Sequence, residues 1–310
     1  MALDRRAASA AVVVVAMCVS VAPGPSAQQA EYTNNFKFNR GQAIQPIFEG
    51  WSWGPDGSIN MHFGYLNRNY AEQPEIPVGA NTRIEPGGPD RGQPTFFYTR
   101  TNRNLFAVNV PKTFGPKEEI VWTVTFNGQT ERAIGWRQAE WEIDPAGGAS
   151  SGGNTDPERV ANKPPTVTIE ALAAVRLPGA ASLVAAITDD GLPKPRPKAK
   201  PAVGQETPPT LQGGTDAPVN VPQVAPRQPS TGTAERPLGM VVSWIVWRGP
   251  AEVAFEPRFT QPKDGRSETR ATFSVPGEYL LRATADDGVA ATHSQTMIKV
   301  TGGTAPTGPR

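Results

Sequence analysis

The chain has 310 residues and a formal net charge of +1, and charged residues make up 19% of it. This balance excludes the strongly basic surface with which proteins bind nucleic acids and anionic membranes. The one cysteine, Cys18, excludes an intramolecular disulfide, and only His62 and His293 are present for histidine chemistry. Short runs of β-branched and aromatic residues alternate with many glycines (31) and prolines (33), which favours an all-β protein with many turns.

The N-terminus, residues 1–27, has the features of a secretory signal peptide. Arg5 and Arg6 precede an apolar run over residues 7–22, and small residues follow up to a predicted cleavage site after Ala27. The run is shorter than the ~20 strongly apolar residues that a membrane-spanning helix needs. The sequence therefore predicts an exported chain, periplasmic, cell-surface or secreted, with no membrane span after processing.

Residues 31–143 are predicted to form a first module, an antiparallel β-sandwich or small barrel. Period-two alternation over residues 58–67 indicates a half-buried strand. The dipeptide Asn127-Gly128, between two strand-like runs, is a strong signal for a tight hairpin. Further strands are predicted at residues 96–98 and 105–110.

The rest of the chain is predicted to be a flexible linker at 144–163, a second β-sandwich at 164–301 and a disordered tail at 302–310. Within the second module, residues 191–237 are rich in proline and poor in apolar residues, which predicts a disordered insert. The fold class is therefore all-β, with two antiparallel sandwiches joined by a linker. The predicted strands of the second module are 166–169, 181–188, 240–247, 252–255, 270–273, 278–285 and 293–300.

The stretch Ala271–Gly288 contains a phenylalanine, a Pro-Gly turn, a Tyr-Leu-Leu strand and an Ala-Asp-Asp-Gly loop. In this order it resembles the late strands of bacterial immunoglobulin-like domains of the polycystic-kidney-disease (PKD) type, and Pro164–Val167 resembles their usual opening. The resemblance implies an immunoglobulin-like fold and says almost nothing about function. The Trp-Asp-Phe-Gly-Asp-Gly stretch typical of PKD domains is replaced by Ser243–Trp247. Three segments of the first module, Phe48–Trp51, Phe63–Asn69 and Asp90–Thr95, resemble exported bacterial proteins of unassigned function.

Two groups in the first module are candidate ligand contacts. Trp51, Trp53 and Tyr70 lie near turns or strand ends, where exposed aromatic rings can stack on sugars. The tripeptide Asn67, Arg68, Asn69 offers amide and guanidinium donors for a polar ligand. The alternative for the aromatic residues is core packing, and the alternative for the tripeptide is the closure of loops through side-chain-to-backbone hydrogen bonds.

Two Asp-Asp-Gly turns are a candidate metal site. Asp189 and Asp190 follow the second predicted strand of the second module, and Asp286 and Asp287 follow its sixth. In an immunoglobulin-like sandwich the loops after these strands lie at the same end. Four carboxylates there could bind Ca²⁺, the one cofactor that the sequence suggests. The alternative is that Asp-Asp-Gly is favourable turn chemistry.

The sequence contains no phosphate-binding loop, zinc-protease motif or nucleophile elbow. We therefore expect a non-enzymatic binding or structural protein of the bacterial periplasm or cell surface, which acts through contacts with another exported protein. The first alternative is a carbohydrate-binding protein with a cell-surface glycan as its partner. A carboxylate-dependent glycan hydrolase is a distant alternative, for which Glu49, Asp56 and Asp90 are candidates.

Overall fold

The structure is a computed structural model that describes residues 37–143, 156–194 and 237–302. The predicted signal peptide, most of the proline-rich insert and most of the tail lie outside these residues. The described part from Phe38 onward belongs to one compact unit. Its regular structure is almost entirely β-strand, which confirms the all-β fold class.

The first module consists of two three-stranded antiparallel sheets. One sheet has the order β1-β2-β4 and the other has the order β3-β5-β6. Large aromatic and aliphatic side chains from both sheets fill the space between them. The strands are β1 (Ile44–Trp53), β2 (Ile59–Asn67), β3 (Thr82–Glu85), β4 (Arg100–Val110), β5 (Ile120–Phe126) and β6 (Gln129–Gly135).

The strongest local signals in the first module are confirmed. Strand β2 buries one face, as its period-two pattern predicts, and Asn127 and Gly128 join β5 to β6 with φ angles of 50° and 72°. Both residues of a type I′ turn need such positive φ values, which explains the choice of Asn-Gly. The predicted strand at residues 96–98 is wrong: this segment is buried but makes only an isolated bridge, from Phe96 to Glu75.

The second module has the strand arrangement of an immunoglobulin-like sandwich. Its four-stranded sheet has the order β11-β13-β9-β7 and its five-stranded sheet has the order β12-β10-β14-β15-β8. These correspond to the ABED and CFG sheets of the immunoglobulin fold, with β8 pairing in parallel with the last strand. The strands are β7 (Thr166–Ile169), β8 (Val175–Arg176), β9 (Ala180–Thr188), β10 (Val241–Arg248), β11 (Ala254–Glu256), β12 (Phe259–Thr260), β13 (Arg266–Thr272), β14 (Gly277–Asp286) and β15 (Ala291–Thr301).

Two side chains reinforce the immunoglobulin-like assignment. Trp244, on the strand equivalent to C, is buried in the core between the sheets. The hydroxyl of Tyr279, near the start of β14, donates a hydrogen bond to the carbonyl of Val275 at 2.8 Å. A buried tryptophan on strand C and a tyrosine corner at strand F are recurring features of this fold.

The predicted flexible linker is ordered over its last part. Residues Pro157–Ala161 form a short helix, α1, which Asp156 caps by accepting a hydrogen bond from the backbone N–H of Glu158. Asn162 and Lys163 then donate hydrogen bonds to Asp287 and Asp190. These contacts hold residues 156–163 of the predicted linker against the second module. Residues 144–155 lie outside the described residues.

The two modules are packed against each other. Trp247 of β10 belongs to the core of the first module, while Phe96 and Tyr98 belong to the core of the second. The hydroxyl oxygen of Tyr98 accepts a hydrogen bond from the backbone N–H of Val246 at 2.8 Å, and burial raises the pKa of Tyr98. This intermodule interface, formed by residues 90–105 with 245–248 and 280–282, makes the two modules a continuous body.

Candidate functional site

The last strand of the second module has one open edge. β15 pairs with β14 along its whole length, from Ala291 opposite Asp286 to Val300 opposite Gly277, with no register shift. On its other side, β8 pairs only with Val300 and Thr301. In the described part of the chain, residues 291–299 therefore have no strand partner on that side, and we call this segment the open edge.

Over residues 291–298 the open edge lacks the features that usually prevent strand addition, and Lys299 at its end is its one lysine. Edge strands are commonly protected by lysines, prolines, bulges or very short length. From Ala291 to Ile298 the strand contains no proline, acidic residue, lysine or arginine, and its pairing with β14 has no bulge. Burial and the positive charge of Arg282 both lower the pKa of His293, which favours its neutral form at neutral pH. The backbone groups along this edge are therefore not paired with a strand of the described chain, although β7 of the other sheet lies close to β15.

A second surface is an aromatic rim where the segment after β6 crosses β1. The ring of Trp141 stacks on Phe48 at 5.5 Å between ring centroids, and Trp136 stacks on Trp141 at 5.9 Å. Trp51 and Trp53 meet edge to face at 5.4 Å. The residues of the aromatic rim are Phe48, Trp51, Trp53, Trp136 and Trp141, together with Arg137.

A close backbone contact and two hydrogen bonds hold the segment after β6 against β1. A β-bulge in β1 falls between Phe48 and Gly50, and Gly50 has a φ of 131°. A Cβ added to Gly50 would lie 2.5 Å from the carbonyl oxygen of Trp141, so this close approach requires glycine. The indole N–H of Trp51 donates to the carbonyl of Gln138 at 2.7 Å, and the N–H of Ile143 donates to the carbonyl of Trp51 at 2.7 Å.

The three aromatic residues predicted as a glycan contact do not form one patch. Trp51 is buried, whereas Trp53 is 45% exposed and Tyr70 is 39% exposed. In the β1–β2 hairpin, Trp53 pairs with Ile59 at one end and Ile44 pairs with Asn67, close to Tyr70, at the other. Nine residues of strand separate the two ends, or about 30 Å at ~3.3 Å per residue. Of the three, only Trp53 is an exposed member of the aromatic rim.

The tripeptide Asn67, Arg68, Asn69 makes mainly structural contacts, and its role in ligand binding stays a prediction. Asn67 and Asn69 are fully buried. The amide of Asn69 accepts from the N–H of Gln42 and donates to the carbonyl of Gln42, and Asn67 donates to the carbonyls of Glu72 and Phe97. Only Arg68 reaches solvent, where it donates to Gln45 at 2.7 Å. The two amides satisfy backbone groups that would otherwise be buried without partners.

The two Asp-Asp-Gly turns do lie at the same end of the second module, as the immunoglobulin-like fold predicts. Burial, together with the nearby charges of Asp287 and Asp190, raises the pKa of Asp189. One carboxylate oxygen of each aspartate, however, accepts hydrogen bonds within its own turn. Asp189 accepts from Gly191, Asp190 from Leu192, Asp286 from Gly288, and Asp287 from Val289 and Ala290.

Among the described residues, no group of three or more histidine, cysteine, aspartate or glutamate side chains is placed to hold a metal ion. The side-chain amide of Asn162 donates to Asp287 at 2.9 Å, and the N–H of Lys163 donates to Asp190 at 2.9 Å. These contacts are those of turn closure and of docking of the segment before β7. The calcium site stays a prediction, and the structure offers it no assembled ligand set.

The carboxylates suggested for a hydrolase are each held in separate local structures. Asp90 makes a bidentate ion pair with Arg248, whose hydrogen bonds lower the pKa of Asp90. Asp56 accepts from the N–H of Ser58, and Ser58 lowers its pKa. Glu49 accepts from the N–H of Asn104. These three environments do not show the paired carboxylates, one with a raised pKa, that glycoside hydrolysis requires.

The sequence analysis missed the residues that join the modules. The guanidinium carbon of Arg282 lies 3.1 Å from the ring centroid of Trp247, and Arg282 also donates to the carbonyl of Leu105. When the side-chain amide of Gln295 is oriented with its oxygen toward Arg282, this oxygen also accepts hydrogen bonds from the guanidinium. Burial and the nearby Arg248 lower the pKa of Arg282 to about 9. No local spacing marks the contacts between the modules, because Arg282 and Leu105 are 177 residues apart along the chain and Arg248 and Asp90 are 158 residues apart.

The described residues include no helix that is long and apolar enough to cross a membrane. No family model matches the chain, and no curated protein matches it. Among solved structures, it is similar to the titin domains Z1Z2 in complex with telethonin, at 11% identity over 84% of this chain and 98% of that one, with a TM-score of 0.24. It is also similar to fibronectin(III)-like modules of Clostridium thermocellum CbhA, at 9% identity over 84% of this chain and 95% of that one, with a TM-score of 0.24.

A further likeness is to domains 4 and 5 of the S-layer protein SbsC, at 8% identity over 84% of this chain and 98% of that one, with a TM-score of 0.18. These TM-scores are too low to carry an argument about function or about the arrangement of the modules. The immunoglobulin-like assignment therefore rests on the strand order of the second module, Trp244 and Tyr279.

Proposed function

We propose that the protein is a non-enzymatic binding protein that takes up an extended segment of another protein along the open edge of β15. The observation that supports this is the regular, uncharged edge of residues 291–298, which has no strand partner in the described part of the chain. Main-chain hydrogen bonds to such an edge supply affinity, and side chains at alternate positions supply specificity.

The surroundings of the edge support the same function. Met297, on the outward face of β15, is 55% exposed and lies opposite Leu280, which packs against the core of the first module. An added strand would therefore find an apolar contact beside its backbone partners. Because the modules are packed together, the edge is held on a rigid support, which lowers the entropy cost of binding.

We propose further that binding takes place outside the cytoplasm, after export of the chain. The supporting observation is the arrangement of Arg5, Arg6, the apolar run and the small residues before Ala27. N-terminal sequencing of protein recovered from an expressing bacterium is the test. A mature chain that begins at Gln28, or within a few residues of it, is expected. An unprocessed N-terminus in the cytoplasmic fraction would contradict export.

Site-specific photo-crosslinking along β15, in the cells that produce the protein, tests the binding proposal. A photoreactive residue is introduced singly at each position from 292 to 297. Strand addition should give a crosslinked product of the same mass at every second position, because successive side chains of a strand point to opposite faces. Equal adduct at every position, or no adduct at any, would overturn the proposal.

A pair of lysine variants provides the matched control. Ser294→Lys places a charge at the sandwich edge and should abolish the adduct, since charged residues at an edge oppose strand addition. Thr272→Lys places the same charge on β13, which is paired on both sides, and should leave the adduct unchanged. Loss of the adduct in both variants, or in neither, would contradict a role for the open edge.

A further inference from the structure

We propose that the aromatic rim of the first module binds a neutral polysaccharide through the solvent-exposed parts of the Trp53 and Trp141 rings. This site is separate from the open edge of β15 and does not depend on the function proposed for it. Trp53 is 45% exposed and Trp141 is 41% exposed, although both rings have aromatic neighbours. Large planar rings left open to solvent in this way can stack on the apolar faces of sugars.

Both rings are fixed in position before any ligand arrives. Trp53 is held edge to face by Trp51, and the guanidinium of Arg137 lies 4.8 Å from the centroid of the Trp53 ring. Arg137 is itself anchored by its hydrogen bond to the carbonyl of Phe114 at 3.1 Å. Trp141 lies nearly parallel to Phe48, with an interplanar angle of 11°. Little side-chain entropy remains to be lost on binding, which favours affinity for a ligand that itself contributes few strong contacts.

The positions of the two residues on β1 suit an oligosaccharide rather than a single sugar. The backbone of Trp141 lies against Gly50, and its ring stacks on Phe48. Trp53 is three residues beyond Gly50 on β1, or about 10 Å of strand at ~3.3 Å per residue. Two aromatic residues carried on backbone positions this far apart can contact successive parts of one extended chain.

The polar residues around the rim favour a neutral ligand. Glu140 and Glu142 are exposed on either side of Trp141 in the sequence, and Gln138 lies on the same segment. Carboxylates accept hydrogen bonds from sugar hydroxyls but repel anionic polysaccharides. The charge of Arg137 is already directed at the faces of Trp51 and Trp53. The apolar surface is therefore two separate rings in a polar setting, which matches a sugar chain better than a hydrophobic protein surface.

Affinity electrophoresis tests the site with the full chain in native gels that contain soluble starch, glucomannan, xylan, mixed-linkage β-glucan or anionic alginate. Retardation is expected in at least one neutral polysaccharide and not in alginate. Trp53→Ala and Trp141→Ala should each weaken binding by about tenfold, the scale of one lost aromatic contact. Tyr70→Ala, an exposed aromatic at the far end of the β1–β2 hairpin, should bind like the wild type.

Three outcomes would overturn the proposal: no retardation in any neutral polysaccharide, retardation only in alginate, or equal retardation of the wild type and both tryptophan variants. Thermal unfolding of each variant shows whether the fold is retained, and the exposure of both rings predicts that it is. Ser294→Lys, which blocks the open edge, should bind polysaccharide normally. If the wild type binds no neutral polysaccharide but still gives the crosslinked adduct at β15, this inference alone is contradicted.

Discussion

The intermodule interface and the loop end of the second module both collect charged side chains but use them differently. At the loop end, each aspartate accepts hydrogen bonds from residues two or three positions further along the chain, and Asp190 and Asp287 also accept from residues 162–163. At the interface, Arg248 reaches Asp90 and Arg282 reaches Leu105, across separations of 158 and 177 residues. Carboxylates that accept hydrogen bonds from nearby residues stabilise turns, whereas arginines that contact residues far along the chain fix the arrangement of the modules.

The largest effect should come from Arg282→Ala at the interface. The substitution removes the contact with Trp247 and leaves the partly buried carbonyl of Leu105 without its donor. We expect a loss of about 3 kcal/mol in the free energy of unfolding, measured by urea denaturation. Arg270→Ala, an exposed arginine on β13, should change it by no more than about 0.5 kcal/mol. If the two variants changed the free energy of unfolding by similar amounts, the interface arginine would be no more important to stability than an exposed surface arginine.

A somewhat smaller effect is expected inside the tripeptide at the end of β2. Asn69→Ala removes the side-chain partner of the partly buried N–H and carbonyl of Gln42 and should lower the free energy of unfolding by about 2 kcal/mol. Arg68→Ala loses one exposed hydrogen bond and should cost less than about 0.5 kcal/mol. Equilibrium unfolding of the two variants checks both values. If Arg68→Ala were the more damaging change, the structural role assigned to the asparagine would be wrong.

Asp90→Asn should have a small and pH-dependent effect. The ion pair with Arg248 lowers the pKa of Asp90 below its ordinary 3.8, so the stabilisation is complete above that pH and is lost as pH falls through the folded-state value. Because the pair is partly exposed, the expected loss at pH 7 is under about 1 kcal/mol. Urea unfolding of wild type and variant should show a larger difference at pH 7 than at pH 2.5. A difference that is just as large at pH 2.5 would mean that the ion pair is not its source.

The smallest effect is expected from Ca²⁺ at the loop end. A ligand that binds only the folded state raises the melting temperature. Because the turn backbones and residues 162–163 already occupy most of the carboxylate oxygens, we expect no shift in thermal unfolding at millimolar Ca²⁺ relative to a chelator control. A clear rise that is lost in the double variant Asp189→Asn, Asp287→Asn would restore the calcium site and contradict the turn interpretation.

Local patterns in the sequence predicted most of the fold. The alternation in β2, the Asn-Gly turn after β5 and the order of the late strands all depend on neighbours within a few residues, and all are confirmed. The strand predicted at residues 96–98 failed because Phe96 and Tyr98 are apolar for another reason: they enter the core of the second module. An apolar pattern in the sequence predicts that a residue is buried but does not predict in which module's core it lies.

The candidate sites were harder to predict for the same reason. Asn67 and Asn69 have the residue types of a polar ligand site, but their partners are backbone groups brought near by the fold. Trp53 and Tyr70 are close in sequence yet lie at opposite ends of a hairpin. The open edge of β15 left one local signal that could have been used: a last strand with neither charge nor proline from Ala291 to Ile298.

Residue-resolved hydrogen exchange along β15 of the unliganded protein tests the central claim most directly. In an antiparallel edge strand, alternate amides bond to the neighbouring strand while the others point outward. The open edge predicts slow exchange at alternate amides from residue 291 to 299 and fast exchange at those between them. Uniformly slow exchange over these residues would show that the edge is already covered and would contradict its role as a binding surface.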